Sequence, residues 1–291
     1  KIYAIIIFMI DLHSHSTASD GQYSPSELIE KAYKRGLSVI ALTDHDTIKG
    51  LEEAEKKAKE LSITFVPGIE INIHRPGSEF HLLGLGINRQ SNSLLKLTEK
   101  LKQNRLERNI QIIQKLNENG INISLEEIKK EYPRESLGRP QIAEFLYTHG
   151  FVKNVQQAFD KFLTRGKSCF IEKKGCDLSE AVTAIYESQG IPVIAHPLSL
   201  YLSWSKLEET LKNFRNQGVL GLEAYHPGAR VVECERLEEI ARRNGFFVTA
   251  GSDFHGEKIR RDRYLGLTCG QRRIDDRFYT DELFVELEKR R

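Results

Sequence analysis

The chain opens with short apolar runs that alternate with longer amphipathic stretches. "IDLH", residues 10–13, is an apolar run that feeds a polar turn. "SPSELIEKAYKRG" carries hydrophobic positions at helical spacing, with Ser24 as N-cap, Pro25 in the first turn and Glu27 at capping-box distance. Gly36 stops that helix. "LSVIALT" then reads as a buried strand, and a charged helix is predicted from about Ile48 to Leu61. "ITFVPGIEI" and "EFHLLGLGI" are two more strand-like runs. Strands alternating with helices predict a parallel α/β sheet or barrel.

From about residue 91 to residue 166 this rhythm stops. "LLKLTEKLKQNRLERNIQIIQKLNENG", "SLEEIKKEY", "RPQIAEFLYTHG" and "VQQAFDKFLTRG" are helical in period and end at glycine or near proline. They predict a helical insertion of roughly 75 residues, a size that folds as a small subdomain. The α/β rhythm resumes with "DLSEAVTAIYESQG", "IPVIAHP", a helix near 204–217, "VLGLEAYHP", "VVECERLEEIARRNG" and "FFVTAGSDFHG". The division expected is therefore an α/β domain from 10–90 and 167–291, interrupted by 91–166. Residues 1–9 are either an extension or an early first strand. "KIYAIIIF" is too short to cross a bilayer and no small-residue cleavage site follows it. Met9, the single methionine, is the expected natural start, with residues 1–8 as an extension.

Composition narrows the partners. Lysine and arginine total 43 against 41 acidic residues, a net charge of +2, so no general basic field would hold long nucleic acid. A local phosphate site remains open. The four cysteines, Cys169, Cys176, Cys234 and Cys269, form no CxxC pair and read as reduced thiols in a cytoplasmic protein. No membrane association is expected, and the oligomeric state is not written in the chain.

The polar residues that interrupt the apolar runs carry the chemistry. His13 and His15 follow the first strand and His45 follows "VIALTD". Glu70 closes "FVPGIE" and His81 opens "FHLLGLGI". His196 follows "PVIA", His226 follows "LGLEAY", and Asp253 and His255 follow "FVTAGS". Apart from His81, these groups sit just past the carboxyl end of a strand, where α/β barrels build their sites. Residues two apart on an extended chain point to one side, so His13 and His15 can grip one ion together. Asp20 can swing back through the "STAS" loop to a neighbouring ion. His13, His15, Asp20, His45, Glu70, His81, His196, Asp253 and His255 are too many donors for one tetrahedral ion. They suffice for two or three, and mixed imidazole and carboxylate suits Mn, Fe or Zn rather than Mg alone. His74 and His149 fall outside the pattern and read as ordinary structural or solvated histidines. Asp44 and Asp46 could orient ligand imidazoles, and Asp46 could instead cap the helix that follows. "EEAEKKAKE" reads as a solvated helix face with i,i+4 pairs.

"DLHSHSTASDG", "ALTDHDT", "PGIE", "FHLLGLGI", "IAHP" and "GSDFHG" resemble the motifs of the polymerase and histidinol phosphatase (PHP) family of metallo-phosphoesterases. The resemblance covers residues 10–88 and about 177–268. It implies a distorted seven-stranded β/α barrel with a trinuclear site. His13, His15, Glu70 and Asp253 would hold one ion, and Asp20, His45 and His255 a second. His81 and His196 would hold the third, with Glu70 as a bridge. The nearest look-alikes hydrolyse nucleoside 3',5'-bisphosphates or trim short oligoribonucleotides, which implies a small phosphorylated nucleotide or short RNA as substrate. The nucleophile implied is metal-bound hydroxide, with no serine or cysteine required.

In the resembling enzymes a "GRP" segment of the insertion faces the site, which nominates Arg139 for substrate phosphate; Gln141 stands where the family often has histidine. His226 is a candidate phosphate contact or leaving-group acid. Competing readings are a histidinol-phosphate phosphatase and a non-catalytic PHP-type regulatory module. The second is disfavoured by the full donor set and the absence of a polymerase portion. A binuclear barrel amidohydrolase is more distant, because no lysine is placed for carboxylation.

Overall fold

A computed structural model describes residues 8–75, 78–132 and 137–290, with Ser78 and Glu79 defined by their backbone. Whether residues 1–7 extend the first strand lies outside the described residues. Seven strands form one sheet in chain order. They are β1 (Met9–Asp11), β2 (Leu37–Leu42), β3 (Thr64–Arg75), β4 (Ser78–Leu85), β5 (Ile191–Ile194), β6 (Gly221–Tyr225) and β7 (Phe247–Ala250). β1, β2 and β3 are parallel, and so are β5, β6 and β7. β4 runs against both of its neighbours. One strand thus departs from the all-parallel expectation. The reason is local: β3 and β4 form a hairpin in which Arg75 pairs with Ser78, too short a link for a crossover helix.

The sheet closes on itself just beyond its first and last strands. Leu12 donates to the Ala250 carbonyl (3.4 Å), His15 N to the Phe254 carbonyl (2.9 Å), and Ser14 bridges Phe254 in parallel. Closure leaves the strand ends gathered at one mouth. Strand interiors are almost wholly apolar and buried, Ile10, Ile40, Leu42, Ile69, Ile71 and Leu82 among them, as a barrel covered by helices requires.

The helices around it follow local signals. α1 (Pro25–Lys34) has the expected capping box: Ser24 Oγ accepts from Glu27 N and the Glu27 carboxylate accepts from Ser24 N. α2 (Leu51–Leu61) starts three residues later than its pattern predicts, because a turn at Lys49–Gly50 intervenes. Asp46 is therefore not its N-cap. It sits at φ 55°, and its carboxylate accepts from Asn72 N (3.0 Å).

The chain forms two compact units, residues 1–98 with 176–291 and residues 99–175. The first is the barrel with α7 to α10. Those helices are α7 (Leu178–Glu187), α8 (Trp204–Asn216), α9 (Val231–Arg243) and α10 (Phe284–Glu288). The second contains most of α3 (Asn92–Glu118), then α4 (Leu125–Glu131), α5 (Arg139–Thr148) and α6 (Val155–Ala158). α6 continues into a π-helical turn at Phe159–Leu163. The second unit has its own core, with Ile112, Leu116, Ile128, Ile142, Leu146 and Leu163 interdigitated. Its limits fall eight or nine residues later than the strand signal alone suggests. The first two turns of α3 belong to the barrel unit, and Cys169 and Ile171 pack on the second core. Among the described residues no helix is long and apolar enough to cross a membrane.

Candidate metal centre and active site

Five strands deliver their polar groups just past their ends, whereas β3 and β4 deliver theirs from within; Glu70, expected to close its strand, lies inside it because β3 runs on into the hairpin. Past β1, alternation turns the side chains of His13 and His15 to the same side, and both rings are fully buried with centroids 5.1 Å apart. His45 follows β2. Glu70 lies inside β3, and His81 lies inside β4, opposite Asn72. The reversed direction of β4 is what brings His81 to the Glu70 carboxylate. His196 follows β5, His226 follows β6, and Asp253 and His255 follow β7.

Glu70 divides its two oxygens between two sets of imidazoles. Oε1 is 2.9 Å from both His81 Nδ1 and His196 Nε2. Oε2 is 2.9 Å from His45 Nδ1, 3.3 Å from His15 Nε2 and 3.4 Å from His13 Nε2. Asp253 is divided in the same way. Its Oδ1 faces His15 Nε2 (3.3 Å), His255 Nδ1 (3.4 Å) and His13 Nε2 (3.6 Å). Its Oδ2 meets Arg260 Nη1 (2.6 Å), His226 Nε2 (3.3 Å) and Arg263 Nη1 (3.4 Å). Asp20 reaches His255 Nε2 (3.4 Å), His45 Nε2 (3.8 Å) and His15 Nδ1 (4.0 Å).

All nine residues named from the sequence therefore converge. Three groups have ligand atoms mutually within 4.8 Å: His13, His15, Glu70 and Asp253; His15, Asp20, His45 and His255; and His45, Glu70 and His81. The grouping differs from the simple partition in two respects. His15 and His45 each belong to two groups, and His196 joins through Glu70 and through His81 Nδ1, 3.3 Å away.

Two observations test whether this set suits cations. His13 Nε2, both nitrogens of His15, His255 Nε2 and Glu70 Oε2 are buried and make no hydrogen bond, although carboxylate oxygens lie close by. Buried polar atoms without hydrogen bonds are costly, so donors converging on shared space rather than on one another fit a cation. The charge states of the carboxylates and of His15 agree. Burial opposes ionisation of Glu70, Asp253 and Asp20, yet the surrounding histidines hold all three well below the usual carboxylate range. Burial, then His255 and His45, hold His15 well below the ordinary imidazole value, so it is neutral and able to ligate. For His13 burial works against the cation, but Glu223, Glu70 and Asp253 outweigh it and raise the ring well above its usual value. The cluster could hold metal ions.

A layer of polar residues outside the nine fixes their orientation, and most of it was not singled out in the sequence. Glu223, in β6, accepts from His13 Nδ1 (2.9 Å) and from His196 N (2.8 Å). Its one legible signal is an acid inside the apolar run "LGLEAY". Asp11 accepts from His13 N, Ser252 N, Ser252 Oγ and Gly266 N, tying β1 to the loop after β7. Asp44 accepts from Ser16 N, Ser16 Oγ and Ser19 Oγ and holds the loop that carries Asp20. Two cluster residues, His196 (φ 28°) and Asp253 (φ 49°), adopt left-handed backbone that the surroundings must impose.

Beside the cluster lies a cavity of about 500 Å³ in the barrel unit. Its lining includes His81, His196 and Asp253, the arginines Arg260 and Arg263, and the side chains of Leu198, Tyr201 and Leu237. His226 faces the cavity, with Gly228 N 3.1 Å from its Nδ1 and the Arg263 guanidinium donating toward its Nε2 (2.7 Å). Burial holds His226 below the ordinary value, so it is neutral at pH 7. Arg260 and Arg263, from "EKIRRDRY", carry no sequence signal that separates them from surface arginines. Arg139 lies in the second unit at the start of α5, where it donates to the Leu163 carbonyl (3.3 Å) and covers the Phe170 ring. Gln141 accepts from Gly138 N (2.9 Å) and so caps the same helix. Neither His74 nor His149 joins the cluster: His74 is exposed, and His149 stacks on Phe145.

Known proteins resemble this chain over most of its length. A 5'-3' exoribonuclease of Haemophilus influenzae is 36% identical over 84% of this chain and 89% of its own length. A 3',5'-nucleoside bisphosphate phosphatase of Chromobacterium violaceum is 32% identical over 84% of this chain and 87% of its own. Among solved structures, a candidate metal-dependent phosphoesterase from Bifidobacterium adolescentis superposes with a TM-score of 0.80 at 27% identity, covering 95% of this chain and 96% of that one. The PHP domain family matches residues 11–191, the stretch that contains β2, β3 and β4 and six of the nine converging residues. This chain belongs to the PHP domain family.

Proposed function

We propose that this protein is a metal-dependent phosphoesterase that hydrolyses nucleoside 3',5'-bisphosphates or removes nucleotides from the 5' end of short RNA, and that the nine residues hold two or three divalent ions. Its membership of a family of hydrolases supports the reaction class, and the names of its relatives support the substrate class. The observation that carries the reading is Glu70, a fully buried carboxylate with each oxygen turned to a different set of imidazoles. A bridging ligand between adjacent cations has that arrangement. In the proposed assignment His13, His15, Glu70 and Asp253 hold one ion, Asp20, His45 and His255 a second, and His81 and His196 a third that shares Glu70. The mixed donor set suits Mn, Fe or Zn. When bound, such ions would neutralise phosphoryl oxygens and supply an acidified water as nucleophile.

The remaining steps fall to the chain. Arg260 and Arg263 line the cavity beside Asp253 and are proposed to hold the phosphate oxygens that face away from the cluster. They are placed ahead of Arg139, whose guanidinium is engaged with Leu163 and Phe170. His226 faces the cavity beside Arg263 and is proposed to contact the substrate phosphate or to protonate the leaving oxygen.

The test is a phosphate-release screen of the purified protein with Mn, Fe or Zn added. Its substrates are a nucleoside 3',5'-bisphosphate, a short 5'-phosphorylated oligoribonucleotide and histidinol phosphate. Phosphate from the bisphosphate, or mononucleotides from the RNA, is the expected result, and it should vanish on metal removal and return on reloading. Turnover of histidinol phosphate alone, or full activity after complete metal removal, would overturn the reading.

A further inference from the structure

We propose that Tyr201 is the platform on which the base of the substrate nucleotide stacks; this rests on the nucleotide reading above and assigns the end of the pocket remote from phosphate. The chain leaves β5 at His196, makes a single 3₁₀ turn at Pro197–Leu200, and arrives at Tyr201. Both ends of that turn are left-handed, His196 at φ 28° and Tyr201 at φ 51°. For a bulky L residue this backbone is strained and persists only where the surrounding structure imposes it.

At Tyr201 the strain is not compensated by packing. The residue is 93% exposed, the most solvent-accessible large hydrophobic side chain among those described. Its ring meets no other aromatic or cationic side chain among the described residues. A core role is excluded by the exposure, and a turn role needs no aromatic ring.

The position explains what the ring is for. Tyr201 lines the same cavity as His81, His196 and Asp253, and Leu198 and Leu237 add apolar surface to that lining. The cavity thus offers both kinds of surface, cationic and metal-ligating groups on the one hand and apolar and aromatic side chains on the other. A nucleotide has matching parts, from charged phosphate through ribose to a flat apolar-faced base. Five residues of tight turn span on the order of 10 Å, the scale of a nucleoside. The rigid Pro197–Leu200 turn therefore sets the distance from His196 at the cluster to the stacking surface. Every base offers a π-face, so such a platform accepts all four bases and supplies affinity without reading sequence. That suits an enzyme acting on nucleotides from any RNA end.

The experiment uses the full chain loaded with metal, and the variants Y201A, Y201F and Y201W. Two substrates are compared, adenosine 3',5'-bisphosphate and its abasic analogue, 1-deoxyribose 3,5-bisphosphate. Y201A should raise KM for the adenosine compound roughly tenfold or more and leave kcat and the abasic substrate unchanged. Y201F and Y201W should restore the wild-type KM. Calorimetric binding of adenosine 5'-monophosphate should weaken by the same factor in Y201A. An unchanged melting temperature is expected from so exposed a residue, which separates stacking from folding. Equal KM for wild type and Y201A, or equal losses on both substrates, would overturn the stacking role while leaving the phosphoesterase reading intact. Failure of the wild-type protein to hydrolyse either bisphosphate would overturn the nucleotide reading, and the platform with it.

Discussion

Glu223 binds one histidine through its ring and another through its backbone, His13 at Nδ1 and His196 at N, and both are proposed metal ligands. Partners of this kind set the ring orientation and basicity of a ligand, and their loss weakens metal binding about 10- to 100-fold. E223Q keeps the shape but turns an amide nitrogen toward one of two donors. A loss of metal affinity in that range is expected, measured by chelator competition at unchanged secondary structure. Gly251 shows how tightly the same place is packed. A Cβ there would lie 2.3 Å from His13 Cβ and 2.7 Å from Glu223 Oε1. Gly251→Ala must displace His13 or Glu223, so the variant should bind metal weakly and melt several degrees below wild type. Wild-type metal content in that variant would contradict the packing described.

At the scale of elements, a second charged network links β6, α9 and the segment before α10. Glu238 receives both Nη atoms of Arg277 at 3.1 Å, the Tyr225 hydroxyl at 2.7 Å and Arg242 at 3.1 Å. Burial alone would raise its pKa, but the hydrogen bonds from Arg277 and Tyr225 prevail and hold it at about 2. A carboxylate depressed on folding contributes stability above its unfolded value near 4.5. That contribution is lost progressively as pH falls from there to about 2. E238Q should cost about 2 kcal/mol at neutral pH. It should also flatten the acid limb of the stability curve in that window, as denaturant titrations at several pH values would reveal. The β3–β4 hairpin acts at the same scale. Its pairing of Asn72 with His81 sets which face of β4 meets Glu70, and a one-residue slip would turn His81 away.

For the molecule as a whole, metal and stability are coupled. The centre buries Glu70, Asp253, His13, His15 and His255 within one barrel mouth, with mutual repulsion among its carboxylates and among its imidazoles. Ions that bind the folded chain stabilise it by RT ln(1 + [L]/Kd), about 2.7 kcal/mol at a hundredfold excess over Kd. Chelation should therefore lower the melting temperature by several degrees and abolish hydrolysis, and reloading should restore both. Equal melting curves with and without chelator would place no ion in the native site. The second unit, with its separate core of Ile112, Ile142 and Leu146, is also exposed to cavity effects. Leu146→Ala should cost about 2–5 kcal/mol, read from denaturant unfolding.

Periodicity alone was enough for most of the elements. The Ser24–Glu27 capping box, the apolar run 37–42 and the helical stretch after residue 91 are local signals, because caps and alternation act between residues a few positions apart. The nine converging residues were also legible: seven are imidazoles and carboxylates placed past apolar strands, and Glu70 and His81 are polar residues in or beside apolar runs, a pattern visible along the chain. Three features were decided by tertiary structure. β4 reverses because its link to β3 is a hairpin, a fact of pairing rather than of composition. Asp46 misses its helix because a turn intervenes before Leu51. Glu223, Arg260, Arg263 and Tyr201 meet the site only after the barrel closes, bringing together groups far apart in sequence. The division is physical: backbone preference and side-chain period are short-ranged and written in order, whereas orientation around a buried charge depends on which distant strands become neighbours.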